Sequence, residues 1–128
     1  MNLKTCLTVA LTTLILCACG QGESKEISPE EQAKINAAVT VIKSEPRVKD
    51  FHYEELSDGI AQWNVGVIPT EGSEIGYASY ICDVLHEYDL NKQIVRIVDI
   101  TQVVNEGATP KAASLKRIKC ETYTVWPD

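Results

Sequence analysis

The feature of this sequence that most constrains its fold is the segment Ile94–Ile100, in which five of seven residues are Ile or Val. β-Branched side chains favour strands, and a nearly continuous apolar run is typical of a strand that is buried on both faces. We therefore predict that this segment forms the central strand of a sheet, within a longer strand-forming stretch that covers Asn91–Val104.

Two helices are predicted from apolar residues that recur with helical spacing. The first begins at Ser28, which is followed by Pro29 and by Glu31 as the last residue of a capping box. It ends before Pro46, because a residue that precedes proline avoids the helical region. The second helix covers Glu74–Tyr88. The apolar stripes of the two helices are Ile35, Ala38, Val39 and Ile42, and Tyr77, Ile81, Val84, Leu85 and Tyr88.

Three further strands are predicted from alternation and turn signals. Val48–Leu56 and Ile60–Ile68 flank a Ser-Asp-Gly turn and are expected to form a hairpin. Ile118–Trp126 is predicted to be the last strand, after a helical turn at Ala112–Lys116. The element order α-β-β-α-β-β predicts an α+β fold, a two-layer sandwich with both helices on one face of a small mixed or antiparallel sheet.

The composition is that of one small folded domain. A chain of 128 residues that is 45% apolar can bury one core but not two. Its formal net charge is −6. Proteins that bind nucleic acid need clustered Lys and Arg to replace counterions on phosphates, and this chain has no such basic block. We therefore expect no nucleic-acid partner.

The first 18 residues are predicted to be a signal peptide. Lys4 supplies the positive charge at the start, and Leu7–Leu16 is an apolar stretch of about ten residues. A helix that spans a bilayer needs about twice that length, so export followed by cleavage is favoured over a membrane anchor.

The segment Leu16-Cys17-Ala18-Cys19 resembles the lipobox of bacterial lipoproteins, in which Leu, a small residue, and Ala or Gly precede the lipidated Cys. Cys17 departs from the usual Ala, Ser or Thr. The resemblance implies cleavage before Cys19, a diacylglycerol thioether on its sulfur and usually an acyl chain, such as palmitate, on its new amine. Gly20 in place of Asp implies delivery to the outer membrane where the host has one. The resemblance is confined to the leader.

The mature chain is expected to consist of a tether and a domain. Residues 19–27 form the lipidated Cys and a polar, flexible tether, and residues 28–128 form the single α+β domain. Loss of residues 1–18 leaves 11 basic and 18 acidic residues, a net charge of −7. Anionic lipid surfaces repel such a domain, so we expect the lipid to hold it at the bilayer.

Five cysteines are present, and two of them remain for the domain. Cys6 and Cys17 leave with the signal peptide, and Cys19 carries the lipid. In an oxidising compartment the remaining pair, Cys82 and Cys120, predicts one disulfide.

A thiolate–imidazole pair between Cys82 and His86, four residues apart on the second helix, is an alternative to that disulfide. A zinc site that adds Cys120 is another, although no CxxC or HxxxH spacing supports it. No catalytic residue, metal ligand or cofactor is assigned.

Charge is distributed unevenly along the chain. Between Asp50 and Glu106 there are eleven acidic and two basic residues, whereas residues 111–128 carry four basic and two acidic ones. A polarised surface of this kind steers a basic partner, and a solvated polar face explains the same pattern.

Several polar and aromatic positions have a structural and a functional interpretation. Alternation along the first strand places His52 and Glu54 on one side, where exposed hairpin charges are the simpler interpretation. The alternative is acid–base chemistry by Glu54 and Glu55 near His52, or a cation site that adds Asp58. Asp99 interrupts the apolar run and is interpreted as a structural partner, with a functional acid as the alternative. Trp63 alternates with valines and is predicted to lie in the core. Trp126 is interpreted as a core or clamp residue, with a partner contact as the alternative.

These observations predict a small non-catalytic binding or interaction module that is anchored in the bacterial cell envelope through acylated Cys19. Its expected partners are the lipid bilayer and an envelope or basic protein. Two alternatives remain open. One is a thiol-redox protein or other small envelope enzyme that uses Cys82 and His86, and the other is an accessory subunit of an envelope assembly.

Overall fold

The computed structural model describes residues 26–57, 60–70 and 72–127. The predicted signal peptide and the predicted lipidation site Cys19 lie outside these residues, as do most of the predicted tether and the Asp58–Gly59 part of the predicted turn. The elements in chain order are α1 (Pro29–Ser44), β1 (Val48–Ser57), β2 (Ile60–Val67), α2 (Glu74–Glu87), β3 (Ile94–Asp99), α3 (Ile100–Glu106), β4 (Ser114–Lys119) and β5 (Thr124–Val125).

The five strands form one mixed sheet in the order β1-β2-β3-β4-β5. β1 and β2 form the predicted antiparallel hairpin, and β2 runs parallel to β3 through the crossover helix α2. β4 pairs antiparallel with β3, and β5 pairs antiparallel with β4. The apolar run therefore lies at the centre of the sheet, with neighbouring strands on both sides, as its sequence predicts.

The helices α1 and α2 cover one face of this sheet, and the α+β two-layer fold is confirmed. Trp63 lies at the centre of this core, where its ring contacts Phe51 and Tyr53 with centroids 5.5 and 5.3 Å away. Its indole Nε1 donates a hydrogen bond to Gln93 Oε1 at 3.1 Å. The core residues that share this layer include Ile35, Ala38, Ile42, Ala61, Val65, Val67, Ile81, Leu85, Val95, Ile97 and Ile118.

Local sequence signals set the start of α1. Ser28 Oγ accepts a hydrogen bond from Glu31 N at 3.1 Å, and Pro29 occupies the first turn, where a missing N–H costs nothing. The helix ends at Ser44, two residues before Pro46. Ser73 caps α2 in the same way, since its hydroxyl accepts from Gly76 N at 3.2 Å.

The helix α3 differs from the sequence prediction, in which the strand continues to Val104. β3 ends at Asp99, whose carboxylate accepts a hydrogen bond from Thr101 N at 2.9 Å and so begins a helix. Gly107 ends α3 in the left-handed conformation, with φ of 66°. Capping at both ends therefore outweighs the strand preference of the β-branched residues between them.

The C-terminal segment also differs from the prediction of a single strand over Ile118–Trp126. β4 begins at Ser114, within the predicted helical turn, and ends at Lys119. A turn follows, in which Tyr123 has a positive φ of 55°, and the chain then returns as β5. Trp126 N donates to Arg117 O at 2.8 Å, which extends the pairing by one residue.

A disulfide joins Cys82 in α2 to Cys120 at the end of β4, as predicted. Both residues are fully buried in the core, and their Cα atoms are 5.1 Å apart. The bond therefore fastens the helical layer to the sheet.

Candidate functional site

The two faces of the sheet carry different chemistry. We call the side that α1 and α2 cover the helix face, and the opposite side, formed by Gln62, Asn64 and Gly66 of β2 and their neighbours, the open face. Residues in register across the open face are His52, Asn64, Arg96 and Arg117 in one row and Glu54, Gln62, Ile94 and Lys119 in the next.

Three polar side chains of the open face are buried. Gln62, Asn64 and Arg96 are only 2%, 4% and 6% exposed. Most charged and amide side chains in folded proteins lie at the surface, so a buried polar row is more informative than an exposed one. This row is the strongest indication of a site in the part of the chain that the structure describes.

Hydrogen bonds join the two buried amides of β2 to Arg117 of β4. Arg117 Nε donates to Gln62 Oε1 at 2.8 Å, and Gln62 Nε2 donates to Asn64 Oδ1 at 3.0 Å. Arg117 Nη1 also donates to Pro127 O at 2.8 Å. The guanidinium group of Arg117 is therefore held in a defined orientation between the sheet and the C-terminal segment.

A solvent-open groove of about 340 Å³ lies over this network. We call it the polar groove. Its lining residues are Glu54, Leu56, Gln62, Arg96, Thr109, Pro110, Lys111 and Arg117. The first two come from β1, and residues 109–111 belong to the loop between α3 and β4. The groove thus brings together residues from distant parts of the sequence.

Positive charge predominates in the polar groove. Its lining holds three cationic side chains, Arg96, Lys111 and Arg117, and one carboxylate, Glu54. Within residues 26–57, 60–70 and 72–127, neither Glu54 nor Lys111 forms an ion pair. The groove therefore has the opposite charge to the protein as a whole, which is acidic.

Trp126 lies beside the polar groove at the edge of the open face. Its ring centroid is 4.9 Å from Lys119 Nζ and 5.9 Å from Arg117 Cζ, so the indole packs against two cations. The side chain is 36% exposed. It is thus not a core residue, and its assignment as a partner contact stays a prediction.

The helix α3 and Pro110 cover the remainder of the open face. A small cavity of about 40 Å³ beneath them is lined by residues that include Asn64, Gly66 and Ile100. An added Cβ on Gly66 would lie 3.2 Å from Ile100 Cδ1 and 3.3 Å from Asp50 Cβ. Glycine at this position therefore allows α3 to pack closely against the sheet.

Asp99 anchors α3 through a carboxylate that accepts several hydrogen bonds. The Thr101 hydroxyl donates to Asp99 Oδ1 at 2.6 Å, and Gln102 Nε2 donates to Oδ2 at 3.1 Å. The hydroxyl of Thr101, assisted by its backbone N–H and by Gln102, holds the pKa of Asp99 below its ordinary value. These bonds bear out the interpretation of Asp99 as a structural partner.

His86 lies near the disulfide, although not as a partner of a free thiol. His86 Nε2 is 3.0 Å from Cys120 O, and Nδ1 is 3.5 Å from the hydroxyl of Tyr123. Tyr123 in turn donates to Asp83 Oδ1, and this bond raises the pKa of the Tyr123 hydroxyl. The group connects the β4–β5 turn to α2, and Cys82 offers no thiolate while it is bonded to Cys120.

The remaining candidate positions have structural surroundings. His52 and Glu54 are exposed on one side of β1, whereas Tyr53 on the other side packs against Trp63, as the alternation predicts. Among the residues that the structure covers, no group of three His, Cys, Asp or Glu side chains is arranged to hold a metal ion. No helix in those ranges has both the length and the apolar character needed to cross a membrane.

The sequence pattern marks Arg96, Lys111 and Arg117 as charges but does not bring them together. Alternation assigns Gln62 and Asn64 to the outward side of β2, where solvent exposure is expected. The sequence signal that bears on their burial is the apolar run of β3, because Ile94 lies on the same side of the sheet and a strand that is apolar on both sides is typically buried on both faces.

Searches of protein-family models, of curated proteins and of solved structures find no match to this chain.

Proposed function

We propose that the protein is a non-catalytic binding module of the bacterial envelope, held at the membrane by lipid on Cys19, and that the open face of its sheet is the binding surface. The observation that carries the binding role is the row of buried polar side chains on that face. The fold gains no apolar burial from Gln62, Asn64 and Arg96, and burying such groups costs free energy unless they are hydrogen-bonded.

Two features support the envelope location. The lipobox-like segment that ends at Cys19 implies lipidation after export. The Cys82–Cys120 disulfide is compatible with an oxidising compartment, because thiols of cytosolic proteins are kept reduced. Only a few polar residues separate Cys19 from the domain, so a lipid on Cys19 would keep the domain near the bilayer.

The same disulfide bears on the thiol-redox alternative. An enzyme that uses Cys82 with His86 needs an accessible thiolate. In the structure Cys82 is fully buried and bonded to Cys120, and His86 contacts the Cys120 carbonyl oxygen instead of a sulfur atom. These contacts favour a structural role for all three residues.

Mass spectrometry of the protein from membranes of its native host tests the location. Non-reducing peptide mapping is expected to find an N-terminal acylated Cys19 and a disulfide-linked peptide that contains Cys82 and Cys120. A Cys19→Ala variant is expected to leave the membrane fraction. An unlipidated chain with two free thiols would contradict both the proposed envelope location and the disulfide.

Site-specific photo-crosslinking in the same cells tests the binding surface. A photoreactive amino acid is placed at Leu56, which lines the polar groove, or at Tyr80, which lies on α2; both positions are 42% exposed. We expect a discrete crosslinked product from position 56 and none from position 80. Equal products from both positions, or a product from position 80 alone, would show that the open face is not the binding surface.

A further inference from the structure

The polar groove has a chemistry that selects a class of ligand. We infer, as an extension of the proposed function, that it binds an oxyanion, the phosphate or carboxylate group of a small ligand. This inference rests on the open face being the binding surface. It specifies the class of ligand that the surface recognises. The expected ligand of the groove is anionic, whereas the acidic charge of the chain as a whole suggests a basic partner.

The lining of the polar groove carries an excess of positive charge. Three of the eight residues that line the groove are cationic and one is anionic, in a mature chain whose net charge is −7. A local excess of positive charge on an acidic protein concentrates anions at that place and repels them elsewhere. Glu54 does not offset it by direct pairing, because its carboxylate forms no ion pair in the described ranges.

The guanidinium group of Arg117 is oriented before any ligand binds. Arg117 is held by Gln62 on one side and by Pro127 on the other, at 2.8 Å each. Arg96 is nearly enclosed on the neighbouring strand, in register with Arg117. Because its two hydrogen bonds already orient it, the guanidinium of Arg117 loses little side-chain freedom when a ligand binds, and guanidinium groups recognise carboxylate and phosphate through paired N–H donors.

The loop between α3 and β4 forms one wall of the polar groove. Ala112 N donates to Thr109 Oγ1 at 3.2 Å, and Ala113 N donates to Thr109 O at 2.9 Å. These bonds close a turn that presents Lys111, an exposed cation, at the mouth of the groove. Lys111 therefore supplies a point charge above the rigid guanidinium floor.

The size of the groove limits the ligand. A volume of about 340 Å³ lies at the lower end of the range of small-molecule sites, which begins near 300 Å³. The amide of Gln62 in its lining can hydrogen-bond a polar group of the ligand, and the indole of Trp126, which packs against Arg117, offers a flat apolar surface next to it. We therefore expect a single sugar or dipeptide unit with one anionic group, and not an extended polyanion.

Amide chemical shifts of the full lipoprotein in non-ionic detergent test the inference. Inorganic phosphate and acetate are titrated separately at constant ionic strength, so that the two sources of the anionic group are distinguished. We expect at least one anion to give saturable shifts confined to the backbone amides of the groove, among them Thr109, Lys111 and Arg117. Phosphate alone, acetate alone or both saturating supports the inference and identifies the group.

Two variants of equal charge change provide the matched comparison. Lys111→Gln removes a cation at the groove, and Lys116→Gln removes one on the opposite side of β4, where Lys116 pairs with Ile97 of the helix face. Lys111→Gln is expected to weaken anion binding about tenfold, the effect of losing one charged hydrogen bond. Lys116→Gln is expected to leave the dissociation constant unchanged.

The inference is overturned if neither anion gives a saturable shift, or if Lys116→Gln weakens binding as much as Lys111→Gln, which would indicate general attraction without a site. That failure is separable from failure of the proposed function. Crosslinking from position 56 without anion binding would retain the open face as a binding surface and remove only its ligand class.

Discussion

The two faces of the sheet are buried to a similar extent along β2 and β3, and they differ in what they bury. On the helix face the enclosed side chains are apolar, with Trp63 and Val65 at 0% exposure. On the open face the neighbouring positions Gln62 and Asn64 are nearly as enclosed and polar. Alternate residues of one strand thus serve different purposes. The helix face supplies the apolar burial that stabilises the fold, whereas the open face encloses polar side chains that add no apolar burial.

The difference in chemistry has a thermodynamic consequence. A fully buried large apolar side chain contributes roughly 1.5–3 kcal/mol to stability, whereas a buried amide contributes little even when it is hydrogen-bonded. Asn64 Nδ2 is buried and has no hydrogen-bond partner within the described part of the chain. Substitutions of apolar residues on the helix face should therefore cause large losses of stability, and substitutions of the amides on the open face should cause small ones.

The largest effect is expected for Trp63→Ala. The substitution removes the biggest buried side chain of the core, two aromatic contacts and the hydrogen bond to Gln93. We expect the free energy of unfolding to fall by about 5 kcal/mol, at the upper end for a buried aromatic residue. Chemical denaturation with the disulfide intact measures it.

Trp126→Ala is the control for this substitution, because it removes the same side chain at the edge of the open face. Its contacts with Lys119 and Arg117 are partly exposed, and a cation–π contact of that kind contributes only about 0.5–1 kcal/mol. Similar losses for the two variants would contradict the distinction between a structural face and a binding face.

The disulfide belongs wholly to the helix face, and its removal is the next largest effect. The bond closes a loop with a sequence separation of 38, for which the chain-entropy model gives about 4 kcal/mol. We expect a Cys82→Ala/Cys120→Ala double variant to lose this amount in denaturant unfolding. The wild-type protein under reducing conditions should show a similar loss, and a loss below about 1 kcal/mol would mean that the core holds α2 in place without the bond.

A pair of adjacent substitutions compares the faces at equal burial. Val65→Asn places an amide in the apolar core and is expected to cost about 3 kcal/mol, from lost apolar burial and an unsatisfied polar group. Asn64→Leu makes the reverse change on the open face. It removes a buried amide whose Nδ2 has no partner within the described residues and adds apolar burial, but it leaves the buried Gln62 Nε2 without its acceptor. Because this gain and this loss oppose each other, the effect is expected to stay within about 1 kcal/mol of zero.

Asn64→Leu also serves as a test of function. Our comparison predicts that it leaves the melting curve nearly unchanged while it alters the shifts that anions induce in the polar groove, since Asn64 Oδ1 fixes Gln62. A variant that loses several kcal/mol of stability would show that the polar row of the open face is a structural element, and the proposed role of that face would lose its main support.

Much of the helix face can be predicted from the sequence, for a physical reason. When one side of a helix or strand is buried, its apolar residues recur in the sequence with the period of that element. Residue spacing alone therefore predicts the apolar stripes of α1 and α2 and the core position of Trp63. The disulfide follows from counting cysteines after assignment of the leader. The start of α1 follows from Ser28 and Pro29, whose signals are local.

The open face cannot be predicted in the same way. β3 is apolar on both sides, so it has no alternation to show that α3 and the loop after it return across the sheet. The two signals that define α3 are present in the sequence, namely Asp99 followed by Gln102 in a capping-box pattern and Gly107 beyond the last turn. The strand preference of Ile100–Val104 obscures them. The polar groove depends on strand order and register, which no local spacing encodes.

The smallest predicted effect is a loss of stability in acid of α3, the helix that covers part of the open face. Because the Thr101 hydroxyl and neighbouring donors hold the pKa of Asp99 below its ordinary 3.8 in the folded protein, the carboxylate contributes its full stabilisation above that pH. The contribution is lost as the pH falls from that value towards the lower pKa of the folded state. Asp99→Asn keeps an oxygen that can cap α3 and removes the titration. We expect it to cost about 1 kcal/mol or less at pH 7, with the gap to wild type closing in acid.

Melting temperatures between neutral and strongly acidic pH measure this gap, with Glu106→Gln as a control that removes one charge at the other end of α3. Hydrogen exchange in α2 and α3 then connects the result to the two faces. If Asp99 holds α3 on the sheet, acid lowers the protection factors of the α3 amides, relative to their intrinsic exchange rates, before it affects those of α2, and Asp99→Asn lowers the protection of α3 at neutral pH. Simultaneous loss of protection in both helices would mean that the cover and the core unfold as one unit, and that the two faces differ in chemistry without differing in local stability.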